Sequence, residues 1–117
     1  MGKQEKDSKL FFSIKEVAQI FGLSEPALRF WEKEFEEISP RKNSKGTRYY
    51  NEEDIAQIRL VYHLVKEQKM KLAGARQRLK ENKKMIMDQV EIIDRLKQLR
   101  SELMSLADAL EDYENRK

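Results

Sequence analysis

The C-terminal third of this 117-residue chain constrains its fold more than any other part. Ile92, Leu96, Leu99, Leu103, Leu106, Leu110 and Tyr113 follow one another at spacings of 4, 3, 4, 3, 4 and 3. That is the a/d seam of a heptad repeat, and it extends back through Gln89 to Met85. An exposed amphipathic helix of about 30 residues is marginal on its own, so the leucine edge needs a partner. An aliphatic seam alone leaves parallel and antiparallel pairing both open. Composition agrees with a helical chain: Ala, Glu, Lys, Leu and Arg supply 58 residues, the bias of long helices and coiled coils. With 38% charged residues the core is thin, and a globular part of about 80 residues is only marginally stable alone.

Ahead of the seam the helix signals are local and dense. Residues 1–9 are uniformly polar and read as a frayed arm. The β-prone run LFFSI, residues 10–14, leads into a helix start, where Ser13 and Glu16 have the spacing of a capping box. Val17, Ala18, Ile20 and Phe21 follow, and Gly22 is a natural C-terminal glycine. Ser24 caps a second helix over roughly 25–36, with Pro26 tolerated in its first turn. Helix, tight glycine turn, helix is the helix-turn-helix layout. Leu28, Trp31 and Phe35 make the buried stripe of that second helix. Glu25, Arg29, Glu32 and Lys33 are left on its open face, with Phe30 at the boundary.

The segment PRKNSKGTRYY, residues 40–50, carries Arg41, Lys42, Lys45 and Arg48 and no acid. N-S-K-G is turn chemistry between the β-prone Ile38 and Tyr49–Tyr50, so a small hairpin is expected. Asn51 then caps a third helix, with Asp54 at its third position and an apolar face of Ile55, Ile58, Val61, Tyr62 and Val65. A break near Lys69–Lys71 precedes a short helix, LAGARQRL. Net charge is +3 overall, but +4 over residues 1–82 and −1 over 83–117. Cations concentrated in one turn point to a nucleic-acid partner.

Several classes are excluded or disfavoured. Without cysteine there are no disulfides, Cys-ligated zinc or thiol chemistry, and the single His63 cannot build a metal cluster. No apolar run approaches the roughly 20 residues of a membrane span. MGKQEK begins like an acylation signal but has Lys6 where Ser or Thr is required. The pair Glu52–Glu53 suits a helix start better than acid–base work, so no enzyme and no cofactor are expected. His63 is read as a surface or boundary residue, and Met70, Met85 and Met87 as adaptable packing.

The ordered pieces resemble the winged-helix DNA-binding domain of the MerR family of bacterial regulators. They are Leu28-Arg29-Phe30-Trp31, then Gly46-Thr47-Arg48-Tyr49-Tyr50, then Glu53-Asp54-Ile55. KLAGARQRL resembles the family's fourth helix and the terminal heptads its dimerisation helix. Phe30 stands where tyrosine is common, Thr47 replaces an aromatic, and the second helix is unusually acidic. The resemblance implies a homodimer gripping a palindromic promoter site, an antiparallel dimer helix and RNA polymerase as a further partner; members often carry an effector domain after that helix, and this chain is expected to be a short form lacking one.

The expected architecture is mainly α. A flexible arm (1–9) precedes a winged helix-turn-helix domain (10–82) and a coiled-coil dimerisation helix (83–117). The expected partners are double-stranded DNA and a second copy of the chain, with no membrane, in the bacterial cytoplasm on the nucleoid. Candidate DNA-binding residues are Lys15, Arg29, Phe30, Lys33, Arg41, Lys42, Lys45, Arg48 and Tyr49. Candidate dimerisation residues are the seven of the seam. The wing cations suit phosphate contacts that release counterions, with a solvated basic loop as the bland alternative. Arg48 could also enter a minor groove. Arg29 suits a guanine or phosphate, or an intrahelical pair with Glu25 or Glu32. Trp31 reads as core, and Phe30 is balanced between core and contact. The acids of the second helix can accept from cytosine, face solvent or limit promiscuous phosphate binding. Two other functions share these features: a DNA-architectural or recombination accessory protein, and a coiled-coil protein–protein adaptor.

Overall fold

The computed structural model describes residues 10–116, and the arm expected over residues 1–9 lies outside them. The chain divides into two compact units between Glu81 and Asn82.

In the first unit, helix α1 (Ile14–Phe21) begins with the capping box read from the sequence. The Glu16 N–H donates to Ser13 Oγ at 3.1 Å, and the Ser13 N–H donates to Glu16 Oε1 at 2.9 Å. The helix stops because Gly22 takes the left-handed conformation (φ 66°), which glycine adopts without a Cβ penalty. The Leu23 N–H closes the turn onto the Ala18 carbonyl at 2.9 Å. Helix α2 (Glu25–Glu34) starts two residues after Leu23, with the Ala27 N–H donating to Ser24 Oγ at 3.2 Å. It ends two residues short of the expected 36, where Phe35 turns extended.

Strands β1 (Arg41–Lys42) and β2 (Arg48–Tyr49) pair antiparallel, Arg41 opposite Tyr49 and Lys42 opposite Arg48. Ile38, expected in the hairpin, is instead a buried residue ahead of it. Tyr50 extends the pairing to Phe12: each backbone N–H donates to the other's carbonyl, at 2.7 and 2.9 Å. Since successive strand residues point to opposite sides, Tyr50 is buried and Tyr49 exposed. Helix α3 (Glu52–Tyr62) has its own capping box between Asn51 and Asp54, with bonds of 2.8 and 2.9 Å.

Val17, Leu28, Trp31, Phe35, Ile58 and Val61 form the heart of the core, with Leu60, Leu64, Ala75 and Leu79 also buried. Trp31 is thus core, as its spacing predicts. Phe21 and Tyr62 meet with ring centroids 5.7 Å apart, joining α1 to α3.

His63 corrects the sequence reading. It is 3% exposed, inside a π-helical turn (His63–Glu67) that prolongs α3. Its Nδ1 lies 2.8 Å from Glu67 Oε1, which can only accept, so Nδ1 carries the proton. Nε2 then accepts from the Gln68 amide at 3.2 Å. The ring's two nitrogens are satisfied by side chains four and five residues on, which makes its burial tolerable. The chain then breaks through Lys69 (φ 58°), with the Met70 N–H donating to the Leu64 carbonyl at 2.9 Å.

Helix α4 (Leu72–Asn115) contains one non-helical residue, Asn82 (φ −136°, ψ 43°), at the unit division. Before it, Arg76 Nη1 donates to Glu34 Oε1 at 2.7 Å, tying α4 to the end of α2. Beyond it, in the second unit, the seam residues Ile92, Leu96, Leu99, Leu103, Leu106, Leu110 and Tyr113 are 39–66% exposed.

Candidate nucleic-acid interface

One side chain, Asn43, reinforces the backbone bonds of the hairpin turn. Asn43 Oδ1 accepts from the backbone N–H groups of Lys45 and Thr47, both at 2.9 Å. Its own N–H donates to the Thr47 carbonyl, and its carbonyl accepts from Gly46, both at 3.0 Å. Gly46 at φ 85° is the position that requires glycine. An Asn bonding backbone groups two and four residues ahead is a side-chain mimic of a turn. It leaves Lys45 exposed in the turn.

Between the hairpin and α2 lies a groove of about 550 Å³, lined by Pro26, Arg29, Phe30, Glu32, Lys33, Lys42 and Arg48. Five of the nine candidate DNA-binding residues therefore share one concave surface: Arg29, Phe30, Lys33, Lys42 and Arg48. Phe30 is 47% exposed, which settles its position in favour of the surface. Arg29 Nη1 sits 3.9 Å from Glu25 Oε1, the intrahelical pairing weighed from the sequence. Both groups are substantially exposed, so that pair contributes little stability.

Arg41 and Tyr49 belong to a neighbouring cluster. The Arg41 guanidinium lies 5.9 Å from the Phe11 ring centroid, and Phe11 meets Tyr49 edge-on at 6.3 Å. Tyr49 also accepts from the Asn43 amide at 3.4 Å, so the cluster leans on the hairpin's organiser. Lys15 is exposed near the start of α1 and does not line the groove.

Two features of this surface escaped the sequence reading. Glu32, placed there on the open face, turns inward. Its Oε1 accepts from Arg48 Nε at 2.6 Å, and its Oε2 stands 3.8 Å from Lys42 Nζ. The turn with no acid of its own receives one from sixteen residues upstream. The α2 spacing alone carried a partial signal, because Glu32 sits beside the buried Trp31 rather than opposite it. Phe11 was the second omission. Its membership of a β-prone run was visible, but its meeting with Tyr49 depends on the Phe12–Tyr50 bridge.

Tyr50, fully buried, feels the charges of the groove's Glu32 and Arg48. Its hydroxyl is buried with no hydrogen-bond partner among the described residues. Burial, and then the nearby Glu32 charge, push its pKa up from 10.0 to about 12. Among the described residues no group of three or more His, Cys, Asp or Glu side chains is placed to hold a metal ion. No helix described is long and apolar enough to cross a membrane.

Comparison with known proteins agrees with this geometry. The solved structure of HiNmlR, a MerR family regulator lacking the sensor domain and bound to promoter DNA, matches with a TM-score of 0.53 at 19% identity. The match covers 91% of this chain and 92% of that one. A MerR family transcriptional regulator from Bacillus cereus matches with a TM-score of 0.54 at 17% identity, covering 84% of this chain and 75% of that one. At such identities these likenesses speak for the fold. No curated protein matches the sequence. The model of the MerR HTH family regulatory proteins matches residues 12–82, from Phe12, which bridges to Tyr50, to the break at Asn82. With more than half the chain matched, including α1, α2 and the hairpin, the protein belongs to the MerR HTH family and has its DNA-binding regulator fold.

Proposed function

We propose that the protein is a sequence-specific transcriptional regulator that binds duplex DNA as a homodimer, at a palindromic promoter site. The observation that carries this reading is the groove where α2 and the hairpin present Arg29, Lys33, Lys42 and Arg48 together. Cations on the hairpin suit phosphates and fix register, while side chains of α2 suit base edges in the major groove. Lys45 at the turn and Arg41 on β1 extend the positive surface along a backbone, and Tyr49 and Phe30 offer apolar contact to sugars. Lys15 would meet a phosphate outside the groove. HiNmlR, whose fold this chain shares, was solved on promoter DNA.

The homodimer is supported by the seam. Seven large apolar residues along one helix, each at least 39% exposed, form a stripe that a second copy would cover. A two-fold pair places two grooves on two half-sites, which is the physical basis for a palindromic operator. RNA polymerase at the promoter, and residence on the nucleoid, follow from that role.

Selection of sheared genomic DNA by the purified protein at near-physiological salt tests the proposal. The expected result is an enriched inverted repeat between promoter elements. Enrichment without a shared sequence would replace the regulator with an architectural DNA-binding protein. No enrichment by folded protein would leave the coiled-coil adaptor.

A further inference from the structure

We infer that Glu32 is a built-in stand-in for a DNA phosphate, neutralising two wing cations that would otherwise meet phosphates of the duplex. The inference rests on the proposed DNA-binding role and adds to it a residue that sets how strongly any duplex is held.

The groove has four cations, Arg29, Lys33, Lys42 and Arg48, and one acid, Glu32, in its lining. That carboxylate places one oxygen on Arg48 and the other toward Lys42, so it faces the two hairpin cations of the groove as a phosphate would. The Glu32 side chain is 16% exposed and that of Arg48 23%, so water screens this pairing less than it screens Arg29 with Glu25. Among the described residues Arg48 is engaged through Nε alone, which leaves the outer edge of its guanidinium to face a second acceptor. A phosphate approaching that edge meets a cation already neutralised and an anion one hydrogen bond behind it. The exposed Glu36, which pairs with neither wing cation, has no such effect.

Glu32→Gln separates charge from shape. The glutamine keeps an oxygen to accept from Arg48 Nε, so the hairpin stays tied to α2 while the negative charge is gone. Binding of the full-length protein to a random-sequence duplex, titrated over a salt series, provides the measurement. Releasing one or two cations should steepen the slope of log affinity against log salt by about 0.9 to 1.8, and tighten low-salt binding on the order of three- to ten-fold. Glu36→Gln, which removes the same charge elsewhere, should leave slope and affinity close to wild type. An E32Q protein that binds no tighter, with an unchanged slope, overturns the inference and leaves Glu32 as a structural tie. An equal gain from E36Q overturns it as well, since any acid would then serve. If folded wild type and E32Q both ignore duplex DNA at low salt, the DNA-binding reading falls first and this inference falls with it.

Discussion

Leu103 lies at the middle of the exposed seam and is 66% exposed. Full burial of a leucine contributes roughly 1.5–3 kcal/mol, so covering the open two-thirds would contribute roughly 1–2 kcal/mol per copy. In a two-fold dimer every substitution is made twice. Leu103→Glu therefore forfeits roughly 2–4 kcal/mol of apolar burial. It also brings two carboxylates toward a dry seam, and their partial desolvation and repulsion raise the total to roughly 4–6 kcal/mol. At 1.4 kcal/mol per factor of ten, the dimer dissociation constant should rise by about three to four powers of ten. Sedimentation equilibrium over a wide concentration range measures this directly. Far-UV circular dichroism should show the end of α4 fraying once chains separate, because an isolated helix is marginal. Affinity for duplex DNA should fall in parallel, since two linked grooves gain from effective concentration. Leu103→Met, which conserves volume, should cost under about 1.5 kcal/mol and remain dimeric. A dimer in L103E as tight as wild type, or a wild type that is monomeric throughout, would refute the reasoning from the seam.

Three further changes probe the first unit. Tyr50→Phe removes a buried hydroxyl that has no hydrogen-bond partner among the described residues, a group whose desolvation typically costs about 1–3 kcal/mol, so the variant should melt at or above the wild-type temperature. The raised Tyr50 pKa also makes the folded protein bind more protons than the unfolded chain above pH 10. Stability should therefore fall as pH rises from 10.0 toward about 12, by up to roughly 1.4 kcal/mol per pH unit. That part of the alkaline loss should be absent in Y50F, and identical alkaline melts of the two proteins would contradict the assignment. His63→Ala removes the buried ring between Glu67 and Gln68, and thermal denaturation should report a loss of about 1–3 kcal/mol. An unchanged melting temperature would mean that the π-helical turn does not depend on the ring. Asn43→Ala deletes the acceptor for the Lys45 and Thr47 amides. Hydrogen exchange at those two amides should accelerate, with weaker duplex binding and little change in global melting. Unaltered exchange would show that Gly46 and the strand pairing hold the turn without it.

Much of the fold was legible because its signals are local. Ser13 with Glu16, Ser24 with Ala27 and Asn51 with Asp54 each complete a cap within three residues, so adjacency in sequence is adjacency in space. Gly22 ends α1 for a reason internal to its own φ angle. The stripe Leu28, Trp31, Phe35 and the heptad seam follow from helical periodicity alone, and both lie where that periodicity puts them. The candidate site was legible by residue type, with five of its nine members lining one groove.

The rest required the chain to fold back on itself. Beyond its place beside Trp31, nothing local marks Glu32 among the acids around α2. It becomes the wing's counter-charge because the hairpin returns Arg48 and Lys42 to it across the groove. His63 reads as a surface residue until the π-helical turn buries it and supplies Glu67 and Gln68 as partners. Alternation along the strand requires Tyr49 and Tyr50 to face opposite ways, but only the bridge to Phe12 decides that Tyr50 goes inward. The sequence by itself determined where helices begin and which of their faces are apolar, since both depend on contacts three or four residues long. Tertiary structure alone decided which charges meet across elements, because a salt bridge between α2 and the wing is set by how those elements pack and leaves no periodic trace in the chain.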